Sequence, residues 1–119
     1  DVITVNAAIS ACEKGERWDW ALWLLDSMAE RFLTPDVISY NAAIAACEKG
    51  AKWELAIALA DEMQQVGVQL DTITYSTAIS ACEKCQEWET ALGLLAEMWR
   101  RRVAPNTITY SAAISACEK

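Results

Sequence analysis

Apolar residues recur along this chain with the period of an α-helix, and they do so twice in every 35 residues. Val5, Ala8, Ile9 and Cys12 follow the i, i+3, i+4, i+7 spacing that puts them on one helical stripe. Tyr40, Ala43, Ile44 and Cys47 repeat it, as do Tyr75, Ala78, Ile79 and Cys82. A second stripe follows each first one. Trp18, Ala21, Leu22, Leu25 and Met28 form it, then Trp53, Ala56, Ile57, Ala60 and Met63, then Trp88, Ala91, Leu92, Leu95 and Met98. Gly15 and Gly50 fall between the stripes, where a helix is expected to stop just past its C-terminus. Pro35 and Pro105 cannot continue a helix and end the second one. Asp36 and Asn106 then open the next segment as turn or cap residues. The pattern predicts helical hairpins, with Ile9, Cys12, Trp18, Leu22, Met28 and their equivalents in the core.

The hairpins are near copies. "NAAISACEKG" at Asn6 returns as "NAAIAACEKG" at Asn41, "STAISACEKC" at Ser76 and "SAAISACEK" at Ser111. Cysteines, tryptophans, methionines and isoleucines keep one 35-residue step without an insertion. A fixed period of a few tens of residues is the mark of stacked repeats, because one hairpin cannot bury both its apolar stripes alone. The expected fold is all-α, an α-solenoid wound as a right-handed superhelix. It forms one array over 1–119, with units 1–35, 36–70, 71–105 and a partial unit 106–119. The chain stops inside its fourth unit, which reads as a fragment of a longer array. The stripe of that last helix (Ile108, Tyr110, Ala113, Ile114, Cys117) lacks its partner, so self-association is expected.

Composition narrows the function. The chain has 119 residues and a net charge of −7, which argues against a strongly basic nucleic-acid surface. The acids concentrate on the second helices, at Asp19, Asp26, Glu30, Glu54, Asp61, Glu62, Glu89 and Glu97, where they are expected to face outward. The first helices are near neutrality. Five cysteines, an odd count, and no histidine argue against a disulfide framework and for a reducing compartment. Cys82 and Cys85 have the spacing of half a zinc site with nothing to complete it, so no metal and no cofactor is assigned. There is no Gly-rich phosphate loop and no acid–base constellation, so no enzymatic activity is assigned. The apolar runs are too short to cross a bilayer, which takes about 20 residues, and no signal peptide pattern opens the chain.

The other face of each first helix carries the candidate chemistry. Asn6, Ser10, Glu13 and Lys14 cluster away from the Val5/Ile9 stripe. Every unit so offers a small polar residue near the helix start and a lysine two turns on. The string "DVISYNAAIAACEKGAKWELAIALADEM" resembles a pentatricopeptide repeat. That family has a period of 35, an opening like "V-T-Y-N-T-L-I", an "A-L-x-L" in the second helix, a Met near its end, and "P-D" or "P-N" at the junction. The resemblance covers the whole chain; the "NAAISACEKG" wording is similar to arrays of dinoflagellate algal type. Val5 departs from it where Tyr is usual, and Leu70 where the junction Pro is usual.

The resemblance implies single-stranded RNA binding with one base per repeat, in organellar RNA processing or expression in a chloroplast or mitochondrion. It implies base-reading pairs Asn6 with Asp36, Asn41 with Asp71, and Ser76 with Asn106, and Ser111 as a fourth reader. It implies that Ile3, Ile38, Ile73 and Ile108 sandwich bases, and that Lys14, Lys49, Lys84 and Lys119 contact phosphate. Asn/Asp pairs would favour uracil and the Ser/Asn pair adenine, so units one to three would read U-U-A from 5′ to 3′. The chemistry is sensible in itself: an amide carries donor and acceptor and can meet the edge of an unstacked base, while a hydroxyl is shorter and rotates. The plainer alternative for Asn6 and Asn41 is a helix-start residue serving backbone donors, and for Lys14 a last-turn cation favoured by the helix dipole. The functional alternative is a protein-binding or structural scaffold using the same groove.

Overall fold

A computed structural model describes residues 2–15, 17–31 and 33–118. Within them the chain forms seven helices and no strand. They are α1 (Val2–Lys14), α2 (Trp18–Glu30), α3 (Val37–Lys49), α4 (Trp53–Val66), α5 (Thr72–Lys84), α6 (Trp88–Arg100) and α7 (Thr107–Glu118). Consecutive helices pair as hairpins, and the hairpins stack into an α-solenoid. The first helices α1, α3, α5 and α7 lie side by side as one layer. Each of α2, α4 and α6 packs across its own first helix and the next one, as a second layer. Each helix of that outer layer therefore seals the seam between two first helices.

The core is built from small and flexible side chains at those crossings. Ala21, Ala56 and Ala91 are fully buried, as are Met28, Met63 and Met98. From the first helices come Ile9, Ile44 and Ile79, with Cys47 and Cys82. Alanine lets two helices approach closely, and the unbranched methionine fills the space left beside it. Burial pushes the Cys47 thiol up to about 11 and that of Cys82 to about 12, where the neighbouring Cys85 and Glu87 add to the effect.

Several expected core positions lie off this line. Cys12, Trp18, Leu22 and Trp53 are half-buried, and Trp88 and Leu92 are exposed. The buried face of α2 is centred on Ala21, Leu25 and Met28, which puts Trp18 and Leu22 on its flank, towards the following unit. Trp18 lies against Gly50, and the Lys52 ammonium sits 5.2 Å above its ring. No described residue covers Trp88 in this way. In α7, Ile108, Tyr110, Ile114 and Cys117 are exposed, but Ala113 is buried with Ala112 and Ala116 against the preceding hairpin.

Gly15 and Gly50 directly follow α1 and α3, where the helices were expected to stop. Gly50 has φ −83°, an ordinary value. The left-handed residue that turns the chain is the next one, Ala51, with φ 56°, and Gln86 repeats it at φ 60°. Gly50 serves a different purpose: a Cβ there would stand 2.6 Å from Trp18 Cδ1. At the end of the second helix, Gly67 (φ 88°) and Arg102 (φ 59°) take the left-handed turn. Leu70, in the place of the junction proline, is buried.

The substitution of Val5 for tyrosine has a partner. Tyr40 Oη donates to Glu62 Oε2 (2.9 Å) and Tyr75 Oη to Glu97 Oε2 (2.7 Å). Burial, and then the hydrogen bond to Glu62, pushes the Tyr40 hydroxyl up to about 12. The first hairpin has Val5 in the tyrosine's place and Ser27 in the glutamate's, and the Ser27 hydroxyl donates to its own helix at Leu24 O (2.8 Å). Hydroxyl and acceptor are lost together, so neither is left unmatched.

Candidate nucleic-acid interface

The first-helix layer presents a row of exposed isoleucines. Ile3, Ile38, Ile73 and Ile108 are between 59% and 80% exposed, and each is the second residue of its helix. A branched apolar side chain left in water at the same place in four successive helices is not needed by the core. It is an apolar row open to a ligand.

Asn6, Asn41 and Ser76 sit four residues after helices α1, α3 and α5 begin. The sequence pattern places them on an open face. Instead Asn6 and Ser76 are buried and Asn41 half-buried, because the first helices pack side by side and this flank becomes their seam. They do not serve the donors of their own helices. The Asn6 amide donates to Asp36 Oδ1 (3.2 Å) and accepts from the Ser39 hydroxyl. Asn41 repeats both contacts, donating to Asp71 Oδ1 (3.3 Å) and accepting from Thr74 Oγ1 (2.5 Å). Each clasp joins one first helix to the start of the next.

Asp36 and Asp71 hold a double position. They are N-caps, accepting from the backbone N–H of Ser39 (3.0 Å) and Thr74 (2.9 Å). The Ser39 and Thr74 hydroxyls in turn accept from the N-cap backbone, closing a capping box. Burial pushes both carboxyls up, but it is outweighed by hydrogen bonds from the cap backbone, the cap hydroxyl and the asparagine amide. The net effect holds both below the usual aspartate value. In the third hairpin the link runs through the cap hydroxyl alone. Ser76 Oγ lies 2.5 Å from Thr109 Oγ1, which is 2.9 Å from Asn106 Oδ1. The shorter serine stops one residue short of the junction.

Sequence reasoning named Asn6, Asn41 and Ser76 with Asp36, Asp71 and Asn106, but not Ser39, Thr74 and Thr109, which tie them together. The signal was available: a hydroxyl residue follows three places after each Asp36, Asp71 and Asn106, the spacing of a cap pair.

Ile73, Ser76, Thr77, Ser80, Asn106, Ile108 and Glu48 line one cleft of about 200 Å³. Its lining includes two exposed isoleucines from neighbouring first helices, the buried Ser76 hydroxyl and the Asn106 amide. A second cleft, of about 310 Å³, is lined by Ile108 with Ser80, Glu83, Thr107, Ser111, Ala112 and Ser115. Ile108 and Ser80 line both clefts, one with Ser76 and the other with Ser111. The larger 410 Å³ cleft around Gln64, Gly67 and Arg101 lies at the junction end of the second helices, outside this row.

Of the lysines, Lys14, Lys49 and Lys84 close α1, α3 and α5; Lys119 lies outside the described residues. Lys49 Nζ is ion-paired with Glu13, and Lys84 Nζ lies 2.5 Å from Glu48 Oε2. The lysines of these pairs are 37% and 42% exposed. Pairs this wet contribute about 0–1 kcal/mol to stability, so they matter for where charge lies more than for folding. The acids of the second helices do face outward, except that Glu97 is half-buried beneath Tyr75. Among the described residues no helix is long and apolar enough to cross a membrane.

The pentatricopeptide repeat domain profile matches residues 1–49, and the PPR repeat family profile matches 35–84 and 71–119. The chain belongs to the pentatricopeptide repeat family. Its fold is similar to that of the pentatricopeptide repeat protein PPR10 in complex with an 18-nt psaJ RNA element. The TM-score is 0.88 at 28% identity, covering 98% of this chain and 17% of that one. A cysteine-to-serine variant of PPR10 with the same RNA element gives the same values. PPR10 from maize superposes with a TM-score of 0.86 at 23% identity, with the same coverage, a likeness of fold. This pentatricopeptide repeat chain thus spans about a sixth of the length of the solved proteins it resembles. No match to a curated protein was found.

Proposed function

We propose that this chain is a sequence-selective single-stranded RNA-binding module that takes one base per repeat. The observation that carries the reading is one cleft lined by exposed Ile73 and Ile108 together with Ser76 and Asn106. Two apolar side chains suit the faces of a base, and stacking of this kind contributes about 1–3 kcal/mol per base. The hydroxyl and the amide suit its edge. The Asn41 amide uses one N–H and one lone pair internally, which leaves a donor and an acceptor for the ligand. The likeness to PPR10 bound to an RNA element points the same way. By the family pattern the three complete units read U-U-A.

The setting that fits the family is organellar RNA processing or expression, in chloroplast or mitochondrion. A fluorescent fusion of the whole protein seen outside both would remove that part of the reading.

The readers are tested by changing Asn41→Ser together with Asp71→Asn. RNAs that differ only at the middle base are compared by competition binding, in an array of these units long enough for measurable affinity. The middle preference is expected to move from U to A by about 1–3 kcal/mol, the worth of one well-made base contact. Equal loss for every base, or no change, means that these residues do not read. An apolar peptide that displaces nothing but binds the isoleucine row favours the protein scaffold instead.

A further inference from the structure

Glutamate and lysine are neighbours in each "CEK" string, yet they serve different units. Glu13 reaches forward to Lys49, and Glu48 reaches forward to Lys84. The carboxylates are the more buried partners, with side chains 23% and 17% exposed. Glu48 also lines the cleft that holds Ser76, Asn106 and the two isoleucines. A carboxylate therefore stands beside the proposed base site, already ion-paired with Lys84, one of the lysines assigned to phosphate.

We infer that Glu13 and Glu48 are tethered counter-ions that regulate how RNA phosphate is accepted along the first-helix layer. The inference rests on the RNA-binding reading above. A free lysine that neutralises a phosphate lets the RNA shed a condensed cation into solution, and this release makes binding fall steeply with salt. A lysine already paired with a fixed carboxylate brings no net charge to the phosphate. When the phosphate takes the ammonium, the displaced carboxylate stays beside it and retains a cation. Binding through such a pair is then weak in its ionic part and almost flat with salt. Selection is left to stacking and base edges, and non-specific adhesion to any polyanion is suppressed. The device also explains how a chain of net charge −7 can use lysines without becoming a basic surface.

The test compares the whole chain with its Glu48→Gln variant for binding of a single-stranded U-U-A-containing RNA over a series of KCl concentrations. Glu54→Gln, on the exposed outer face of α4, is the control, since it changes net charge equally. Accessibility of Lys84 to an amine-acetylating reagent, read by mass spectrometry, reports the pair without RNA. Glu48→Gln is expected to speed Lys84 acetylation, raise affinity at low salt, and steepen the slope of log K against log salt by about 0.7, the single-strand value for one phosphate. Glu48→Gln with Lys84→Gln should return the slope to that of the parent. Equal effects of Glu48→Gln and Glu54→Gln, or lost affinity in Glu48→Gln, overturn the proposal while leaving RNA binding in place. Faster acetylation with no RNA bound by any variant overturns the RNA reading and the proposal with it.

Discussion

Asp36 and Asp71 show how much one side chain can be asked to do. Each caps a helix and also holds the asparagine of the preceding unit. Their carboxyls lie below the usual value near 3.9 in the folded chain. A depressed carboxyl contributes stability that is fully present above its unfolded value and is lost as pH falls through the folded one. The melting temperature should therefore drop below about pH 4. Asp36→Asn with Asp71→Asn should lose part of that acid dependence, since Asn106 caps α7 without an ionisable group. Thermal melts across pH 2–7 measure this, and identical acid limbs for both proteins would count against it. Both aspartates were legible as cap or junction residues from "TPD" and its equivalents. The ion pairs were not. Glu48 and Lys84 are a full unit apart, and nothing in a one-dimensional pattern tells an adjacent Glu–Lys dipeptide to point at two different neighbours.

At the scale of the helix, periodicity carried the reading well. All seven helices fall where the stripes put them, because two apolar faces per 35 residues leave few other ways to bury both. What it did not show was why position 50 has to be glycine. Gly50 directly follows α3, as expected, but Ala51 takes the left-handed conformation and Gly50 makes room for Trp18. The clash that requires Gly50 comes from another hairpin, so local sequence cannot show it. A non-glycine residue in the left-handed region costs about 1–2 kcal/mol, and glycine's extra freedom when unfolded offsets about 0.5–1 kcal/mol of any gain. Ala51→Gly and Gln86→Gly should each stabilise the chain by about 0.5–1 kcal/mol in urea unfolding. Gly67→Ala should do the opposite by a similar amount, although its Cβ would meet nothing within 4 Å. If all three changes have the same sign, the turns are not strained as described.

For the molecule as a whole, among the described residues each hairpin touches only its neighbours, so stability is a sum of local terms and is unevenly spread. Tyr75 and Ile79 are buried in α5, while their equivalents Tyr110 and Ile114 are exposed in α7. Ala46 and Ala81 are buried, while Ala11 in α1 is exposed. Amide protection against hydrogen exchange should therefore peak in α3, α4 and α5 and fall in α1 and α7. Uniform protection along the chain, measured by exchange and mass spectrometry, would show a cooperative block instead.

The two layers of the stack are joined in different ways, and this has a mechanical consequence. Among the described residues the outer helices make no close backbone approach to one another. Neighbours α4 and α6 are bridged by long polar side chains, with Gln64 donating to Glu97 Oε2 (3.0 Å) and accepting from Arg101 (2.9 Å). Such bridges yield by rotamer changes in water. The first helices are pinned by the short Asn41–Thr74–Asp71 clasp and its equivalents. The chain behaves as a strip of hinges with the pins along one edge. It can curl by opening or closing the outer edge, but the pinned edge resists stretching. The spacing between successive isoleucines lies on that edge, so it acts as a ruler whose marks the protein sets and a ligand must match.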